Sequence, residues 1–335
     1  MKAAVLERER ELAYRDVPEP EPFGERPVLV RVGAVGVCGS DLLRYGRGKA
    51  YHYPLVLGHE FSAIVEAPPA DSRFAPGDRV AVFPLVPDMT DPMSRIGEYA
   101  VSTGYDYFGS RRDGAMCERL YAPEGNLVPV PDSLSLAEAA MVEPAAVALH
   151  AMLKPALPPR ASALVIGAGP IGALAAQWLR ILGASTVYVA EIDERKRALM
   201  QELGFEVVDP ADVQVDVTIE AAGLPATLIQ AIRAAKPFGH VVLLGDLSAD
   251  ATLERDLVSS ILRRELTLHG TWNSKIAPAG NSEWEMVVDR LARGDLRAAP
   301  LISHTPTLDE VPELFAAMLD RREWFNKVVI TVAGS

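Results

Sequence analysis

Cys38 in GVCGSD, the pair His59-Glu60 in LGHE, and Glu143 in VEP are the residues best suited to hold a metal ion. Catalytic zinc takes about three protein ligands from cysteine, histidine and carboxylate, and keeps one position open for water or substrate. Cys38, His59 and Glu60 supply one ligand of each kind. Glu143 stands in an otherwise apolar stretch, 139–149, just before Pro144 at an expected helix start. There it could be a helix N-terminal charge, a buried ligand, or a group that trades places with water. Each residue also has an ordinary reading, Cys38 as a small buried hydrophobe and His59 as a satisfied core histidine. Spacing alone does not choose between them.

A second constellation is Gly167-Ala168-Gly169-Pro170-Ile171-Gly172, after the apolar run 163–166. In such a fingerprint the first glycine permits a tight turn, and the second lets a pyrophosphate approach the backbone. The third lets the helix pack on the strand. The phosphates then meet the free N–H groups of a helix N-terminus, whose dipole favours negative charge. Glu191 follows Gly172 by 19 residues, at the end of the next expected strand. A carboxylate there can accept from both ribose hydroxyls and repels a 2′-phosphate, so NAD is expected rather than NADP. Lys196 could also reach the ribose, or be an ordinary solvated helix lysine. The expected cofactor-binding set is Gly167, Gly169, Pro170, Ile171, Gly172, Glu191, Lys196, Gly245 and Thr271.

These residues need elements to position them. From about 25 to 130, short apolar strands (28–32, 61–65, 79–82) alternate with Gly, Pro and Asp, which predicts an antiparallel, β-rich domain. Near residue 150 the pattern changes. Strands over 163–166, 186–190, 215–219, 240–244 and 265–269 alternate with helices such as 171–182 and 194–203. That rhythm predicts an α/β domain with a doubly wound parallel sheet. It ends at about 272, after which a helix near 308–321 and a strand over 327–332 close the chain.

The length, 335 residues, suits about two domains. No apolar run approaches the roughly 20 residues of a membrane span. The run MKAAVLERERELAYRD turns charged at Glu7 and does not read as a secretory leader, so the cytoplasm is the expected compartment. Net charge is −12, without clusters of Lys and Arg beyond short pairs, which argues against nucleic acid and anionic membrane as partners. The two cysteines, Cys38 and Cys117, exclude a disulfide framework and any zinc site of four thiolates.

The run PLVPDMTDPMSRIGEYAVS, 84–102, has neither helix nor strand period and reads as a long irregular lobe. Lobes of that length need a staple or a function.

In order, GVCGSD, LGHEFSAIVE, PGDRVAV, EPAAVALHA and VIGAGPIG resemble the zinc-dependent medium-chain dehydrogenase/reductase (alcohol dehydrogenase) family across essentially the whole chain. YPLVLGHEFS, FGSRRDG, GTWN and EWE resemble its polyol and polyol-phosphate dehydrogenases. The resemblance implies a GroES-like catalytic domain over 1–148 and 273–335, and a Rossmann NAD-binding domain over 149–272. It implies Cys38, His59 and Glu60 as zinc ligands, with Glu143 an exchangeable ligand or water partner. Asp41 would orient His59. Ser40 would hydrogen-bond the substrate oxygen and pass its proton outward. Many relatives continue that relay through a histidine three residues later, where this chain has Leu43. Arg111 and Arg112 suit a phosphate or polyol, or form a solvated turn held by Asp113. Trp272 and Asn273 occupy a segment that reaches the substrate in polyol dehydrogenases. Cys117 is assigned to the core.

The family's second, structural zinc lies in a lobe with four cysteines. Its positions correspond to Asp88, Asp91, Ser94 and Ser102, which cannot make a soft sulfur site. One zinc per chain is therefore expected, in an NAD-dependent polyol dehydrogenase that forms a homodimer or homotetramer. The alternative is a non-catalytic NAD-binding or NAD-sensing protein of the same fold.

Overall fold

The computed structural model describes residues 1–277 and 282–332 and divides the chain into two compact units. The first comprises Met1–Glu143, Lys275–Arg293 and Ile302–Ser335; the second comprises Pro144–Ser274 and Gly294–Leu301.

The first unit is organised around strand Pro27–Gly36, PVLVRVGAVG. Its residues alternate between partly and fully buried as far as Val32, then run fully buried to Gly36. Strand Glu60–Ala67 pairs with it on one side. On the other side two strands share its length. Arg119–Pro123 pairs with residues 27–31, and Lys327–Thr331 with residues 34–36, all antiparallel. The end of the chain is thereby stitched into the sheet that begins at residue 27. This register sets Gly36 opposite Glu60, so the segment entering Cys38 lies beside the one carrying His59.

The lobe forms a small structure of its own. Leu85–Val86 pairs with Asp106–Tyr107, and Asp91 caps the short helix Pro92–Arg95. Asp91 Oδ1 accepts from Met93 N at 2.8 Å, while Oδ2 accepts from Thr103 N at 3.1 Å and its hydroxyl at 3.0 Å. Asp88 Oδ1 accepts from Thr90 N and Oγ1, and Ser102 Oγ donates to Tyr99 O. Lys275 pairs with Glu98 at the lobe's edge. The strand–helix rhythm of the parallel sheet ends with strand Thr267–Gly270, as expected, but a helix not anticipated from the sequence comes next. Helix Glu283–Ala292 follows, closed by a reciprocal cap between Ser282 and Glu285, and its buried Trp284 meets Phe83 edge-on at 5.4 Å. The sequence pattern hid it because it contributes to the first unit and not to the parallel sheet.

The second unit is a six-stranded, all-parallel sheet. Its spatial order is Glu206–Val207, Thr186–Ala190, Ser162–Ile166, Val215–Glu220, Ala235–Leu243 and Thr267–Gly270. The chain order reverses at Ser162–Ile166, which makes the carboxyl ends of that strand and of Val215–Glu220 the place for a ligand. The chain is thus α/β, a GroES-like β-rich unit plus a Rossmann-like parallel sheet. No helix among the described residues is long and apolar enough to cross a membrane.

Candidate active site

Helix Gly39–Gly46 begins where strand Pro27–Gly36 ends, with Cys38 as its N-cap. Asp41, in its first turn, accepts from Cys38 N at 3.0 Å and is fully buried. His59 and Glu60 enter the facing strand and are also buried. Sγ of Cys38, a ring nitrogen of His59 and a carboxylate oxygen of Glu60 lie within 4.8 Å of one another. Among the described residues this is the one group of three or more such side chains with metal-holding geometry. A thiolate, an imidazole and a carboxylate converging at this spacing suit zinc with a position left open. His59 Nδ1 faces Asp41 Oδ1 at 3.4 Å, wide of a full hydrogen bond, and has no other partner. An imidazole that gave its other nitrogen to a metal would keep this N–H for Asp41.

The backbone is shaped for Glu60. A Cβ on Gly36 would overlap the Glu60 carboxylate and press within 3.1 Å of Lys327 Cε. Lys327 was not anticipated as a site residue. Its ammonium is buried, pairs with Glu60 Oε2 and donates to Val37 O at 3.0 Å. The available signal was a lone lysine opening the otherwise apolar run KVVITV. Sequence alone does not reveal that this run pairs with residues 34–36.

Glu143 lies outside the three-residue cluster. It is buried, and Tyr107 donates its hydroxyl to Oε1 at 3.3 Å. Burial, and then the neighbouring Glu60 carboxylate, push the Glu143 carboxyl up to about 7 against the pull of His59 and Lys327. Burial alone would lower the His59 pKa, but Asp41 and Cys38 hold it well above the ordinary imidazole value in the metal-free chain. Asp41 shows the converse: burial would raise it, yet His59, Arg44 and the Cys38 amide keep it below the usual carboxyl range.

Ser40, two residues after Cys38, accepts from Arg44 Nη1 at 2.8 Å, while Leu43 is exposed. Arg44 is a second residue the sequence did not flag; its Nε is buried without a partner. Arg111 and Arg112 face elsewhere in this unit. They line a cavity of about 640 Å³ with Phe23, His52, Phe108 and Arg119, whose walls do not include Cys38, His59 or Glu60. Arg112 pairs with Asp106 at 2.8 Å and stacks on Phe23; Arg111 stacks on Tyr105 and donates to its carbonyl. Asp113 is engaged by Val56 N at 2.8 Å.

In the second unit, the glycine turn links strand Ser162–Ile166 to helix Pro170–Ile181 as the fingerprint predicts. Gly169 is the N-cap and Pro170 the first helical residue. A Cβ on Gly172 would collide with Gly167 O, so only glycine allows this approach of helix to strand. Glu191 Oε2 accepts from Ala168 N at 2.7 Å, and Oε1 accepts from Ile192 N at 2.7 Å and Asp193 N at 2.9 Å. The carboxylate is thus fixed against the phosphate turn, with lone pairs left for ribose hydroxyls. Lys196 lies in the first turn of the next helix, its N–H donated to Asp193. Gly245 follows the fifth strand in space. Thr271 follows the sixth, its hydroxyl buried without a partner. Trp272 is exposed, and Asn273 takes a left-handed φ of 58° with Oδ1 accepting from Ser274 N.

Residues 24–132 match the alcohol dehydrogenase GroES-like domain, and residues 170–293 the zinc-binding dehydrogenase domain. Galactitol 1-phosphate 5-dehydrogenase of Escherichia coli K12 is 33% identical over 319 residues, covering 91% of this chain and 92% of that protein. Human sorbitol dehydrogenase is 28% identical over 327 residues, covering 91% and 89%. The crystal structure of galactitol-1-phosphate dehydrogenase from E. coli matches with a TM-score of 0.91 at 31% identity, over 99% and 100% of the two chains. A zinc-binding dehydrogenase structure from Sinorhizobium meliloti 1021, bound to NADP, matches at 0.88 and 30% identity, over 98% of each chain.

Proposed function

We propose, from the premise that this chain belongs to the zinc-dependent medium-chain dehydrogenase/reductase family, that it oxidises a secondary alcohol to a ketone. The alcohol is that of a polyol, a polyol phosphate, or a cyclitol or amino-sugar alcohol, and NAD is the hydride acceptor. The observation that carries this reading is the co-occurrence, in one chain, of the Cys38–His59–Glu60 cluster and a fingerprint turn backed by Glu191. The galactitol 1-phosphate and sorbitol dehydrogenases among its relatives favour a polyol-type substrate.

Zinc held by Cys38, His59 and Glu60, with Glu143 as exchangeable ligand or water partner, would supply Lewis acidity at the substrate oxygen. NAD would supply the hydride acceptor. The chain's own residues do the remaining work. Asp41 faces the Nδ1 of His59 and would accept its N–H, fixing the tautomer once the other ring nitrogen is given to a metal. Arg44 donates to Ser40, which leaves the Ser40 O–H free and points it away from the guanidinium. Ser40 is therefore set to exchange a proton with a substrate hydroxyl. Beyond Ser40, exposed Leu43 offers no further carrier, so water completes the path. At the second centre, the N-terminus of helix Pro170–Ile181 receives the phosphates and Glu191 the adenosine ribose. The Glu191 carboxylate favours NAD over NADP by charge.

The same reading assigns one zinc per chain, because Asp88, Asp91, Ser94 and Ser102 offer no sulfur, and Asp88 Oδ1, both Asp91 oxygens and Ser102 Oγ are engaged in hydrogen bonds within the lobe. It also assigns a homodimer or homotetramer, supported by the exposed Thr267 and Leu268 on the edge strand of the parallel sheet. Light scattering on the purified protein tests that point.

The test of function is NADH formation across free and phosphorylated polyols and cyclitols, with metal analysis of the active protein. Activity with about one zinc per chain, lost in Cys38→Ser, is expected. Full activity in protein without zinc, or in the Cys38→Ser variant, sinks the proposal. Binding of NADH without turnover of any panel member would favour a sensing protein instead.

A further inference from the structure

Glu220 ends strand Val215–Glu220 and is 1% exposed, yet neither the metal cluster nor the fingerprint accounts for it. In the sheet it stands beside Ile166 on one side and Leu243 on the other. Its Oε1 accepts from Ala222 N at 2.9 Å, Gly223 N at 2.8 Å and the Thr227 hydroxyl at 2.7 Å. Its Oε2 is buried without a partner. A buried carboxylate costs free energy, and hydrogen bonds to a charged acceptor are the strong ones. Two of the three come from the turn that follows Glu220, and the third from Thr227 in helix Pro225–Ala234.

That turn is wedged between two cofactor-facing segments. Ala221 N donates to Ile166 O at 2.9 Å, and a Cβ on Gly167 would lie 2.9 Å from Ala222 N. On the other side Gly245 N donates to Glu220 O at 2.9 Å, and a Cβ on Gly245 would lie 2.8 Å from Glu220 Oε2. A side chain at 245 would therefore push the carboxylate and its turn out of place.

Topology indicates which half of a dinucleotide crosses this turn. The strand order reverses at Ser162–Ile166, and Glu191 marks the adenosine side, over Thr186–Ala190. The other half must extend across the carboxyl ends of Val215–Glu220, Ala235–Leu243 and Thr267–Gly270. We propose that Glu220 is a positioning residue for the nicotinamide half of the cofactor, acting through the 221–223 turn that it holds in shape. This rests on the dinucleotide-binding part of the proposed function.

The test compares equilibrium binding of NADH and of ADP to the purified full-length chain, by fluorescence and calorimetry. Glu220→Ala raises the Kd for NADH about tenfold and leaves that for ADP within about twofold. Glu220→Gln keeps an acceptor at Oε1 and returns NADH binding to within about threefold of the parent. Equal weakening of both ligands in Glu220→Ala, or of neither, overturns the proposal, as does a Gln variant no better than Ala. Should Glu220→Ala fail to fold, Thr227→Val removes one of the three donors. It must then weaken NADH about threefold with ADP unchanged, and any other pattern overturns the proposal. A parent chain that binds neither NADH nor ADP sinks the dinucleotide reading itself, a result distinct from any pattern among the variants.

Discussion

The ammonium of Lys327 and the carboxylate of Glu60 form a buried ion pair between residues 267 positions apart. Their side chains are 4% and 2% exposed, so neither charge is satisfied by solvent. The pair exists because the last strand of the chain is inserted beside the end of strand Pro27–Gly36. One contact thus joins the metal cluster to the closure of the fold.

Removing one partner strands the other charge. Lys327→Met is expected to destabilise the protein by about 3–5 kcal/mol in denaturant unfolding, the usual cost of an uncompensated buried charge. The double variant Lys327→Met/Glu60→Gln should recover a substantial part of that loss. A single variant with unchanged stability would show that the pair is not formed in solution.

The two cysteines should separate cleanly in reactivity. Cys117 is fully buried, burial pushes its thiol up to about 12, and its Sγ contacts Gly114 O and Arg119 O. Only thiolate reacts, so Cys117 stays inert near neutral pH. Cys38 is partly exposed. Iodoacetamide treatment of the chelated native protein should place one label, on Cys38, as read by peptide mass spectrometry. Added zinc should protect it. Labelling of Cys117 in the folded chain would contradict the packing described.

Proton competition sets the sign of the pH dependence. Glu143 is displaced from 4.5 to about 7, and His59 also lies well above its ordinary value. In the metal-free chain the native state holds protons that the unfolded chain releases. Its stability should therefore fall as pH rises, from about 4.5 to about 7 for Glu143 and from about 6.5 upward for His59. Glu143→Gln should flatten the first part of that slope in thermal melts. Zinc binding must expel the His59 proton, so apparent zinc affinity rises with pH, and calorimetry in buffers of different ionisation heat should register proton release. Stability of the chelated protein rising between about pH 4.5 and 7, above the range in which the lowered carboxylates such as Asp41 titrate, would contradict this assignment.

Much of this was legible in the sequence for physical reasons. The glycine turn, its strand and Glu191 are close in sequence, and Gly172 is imposed by the approach of Gly167 O five residues earlier, whereas the crowding of Gly167 by Ala222 comes from a distant strand end. Cys38, His59 and Glu60 were visible as residue types, but their convergence depends on the Gly36–Glu60 register, which is a property of the sheet. Lys327 and Arg44 were missed because their meaning comes from what they touch. A lysine opening an apolar strand looks like a solvated end until the strand is seen to enter the core. Helix Glu283–Ala292 was missed for the same kind of reason, since its cap is a strong local signal but its packing partner, Phe83, is distant.

The lobe at 84–102 supplies the last prediction. Its four family ligand positions are Asp88, Asp91, Ser94 and Ser102, and Asp91 ties the start of the lobe to its end through Thr103. The carboxylate also caps helix Pro92–Arg95 through Met93 N. Both functions are local hydrogen bonding, which needs no metal. Asp91→Ala should cost about 1–2 kcal/mol, the usual range for a lost cap. The loss should appear as faster hydrogen exchange at Met93 and Thr103, with the core strands unchanged. Ser94 Oγ is buried without a hydrogen-bond partner, so Ser94→Ala should be neutral or slightly stabilising. A chelator that strips the proposed zinc from the Cys38–His59–Glu60 cluster should leave exchange in the lobe unaltered. Accelerated exchange across 88–103 on chelation, matching that of Asp91→Ala, would mean that a cation and not Asp91 is the staple.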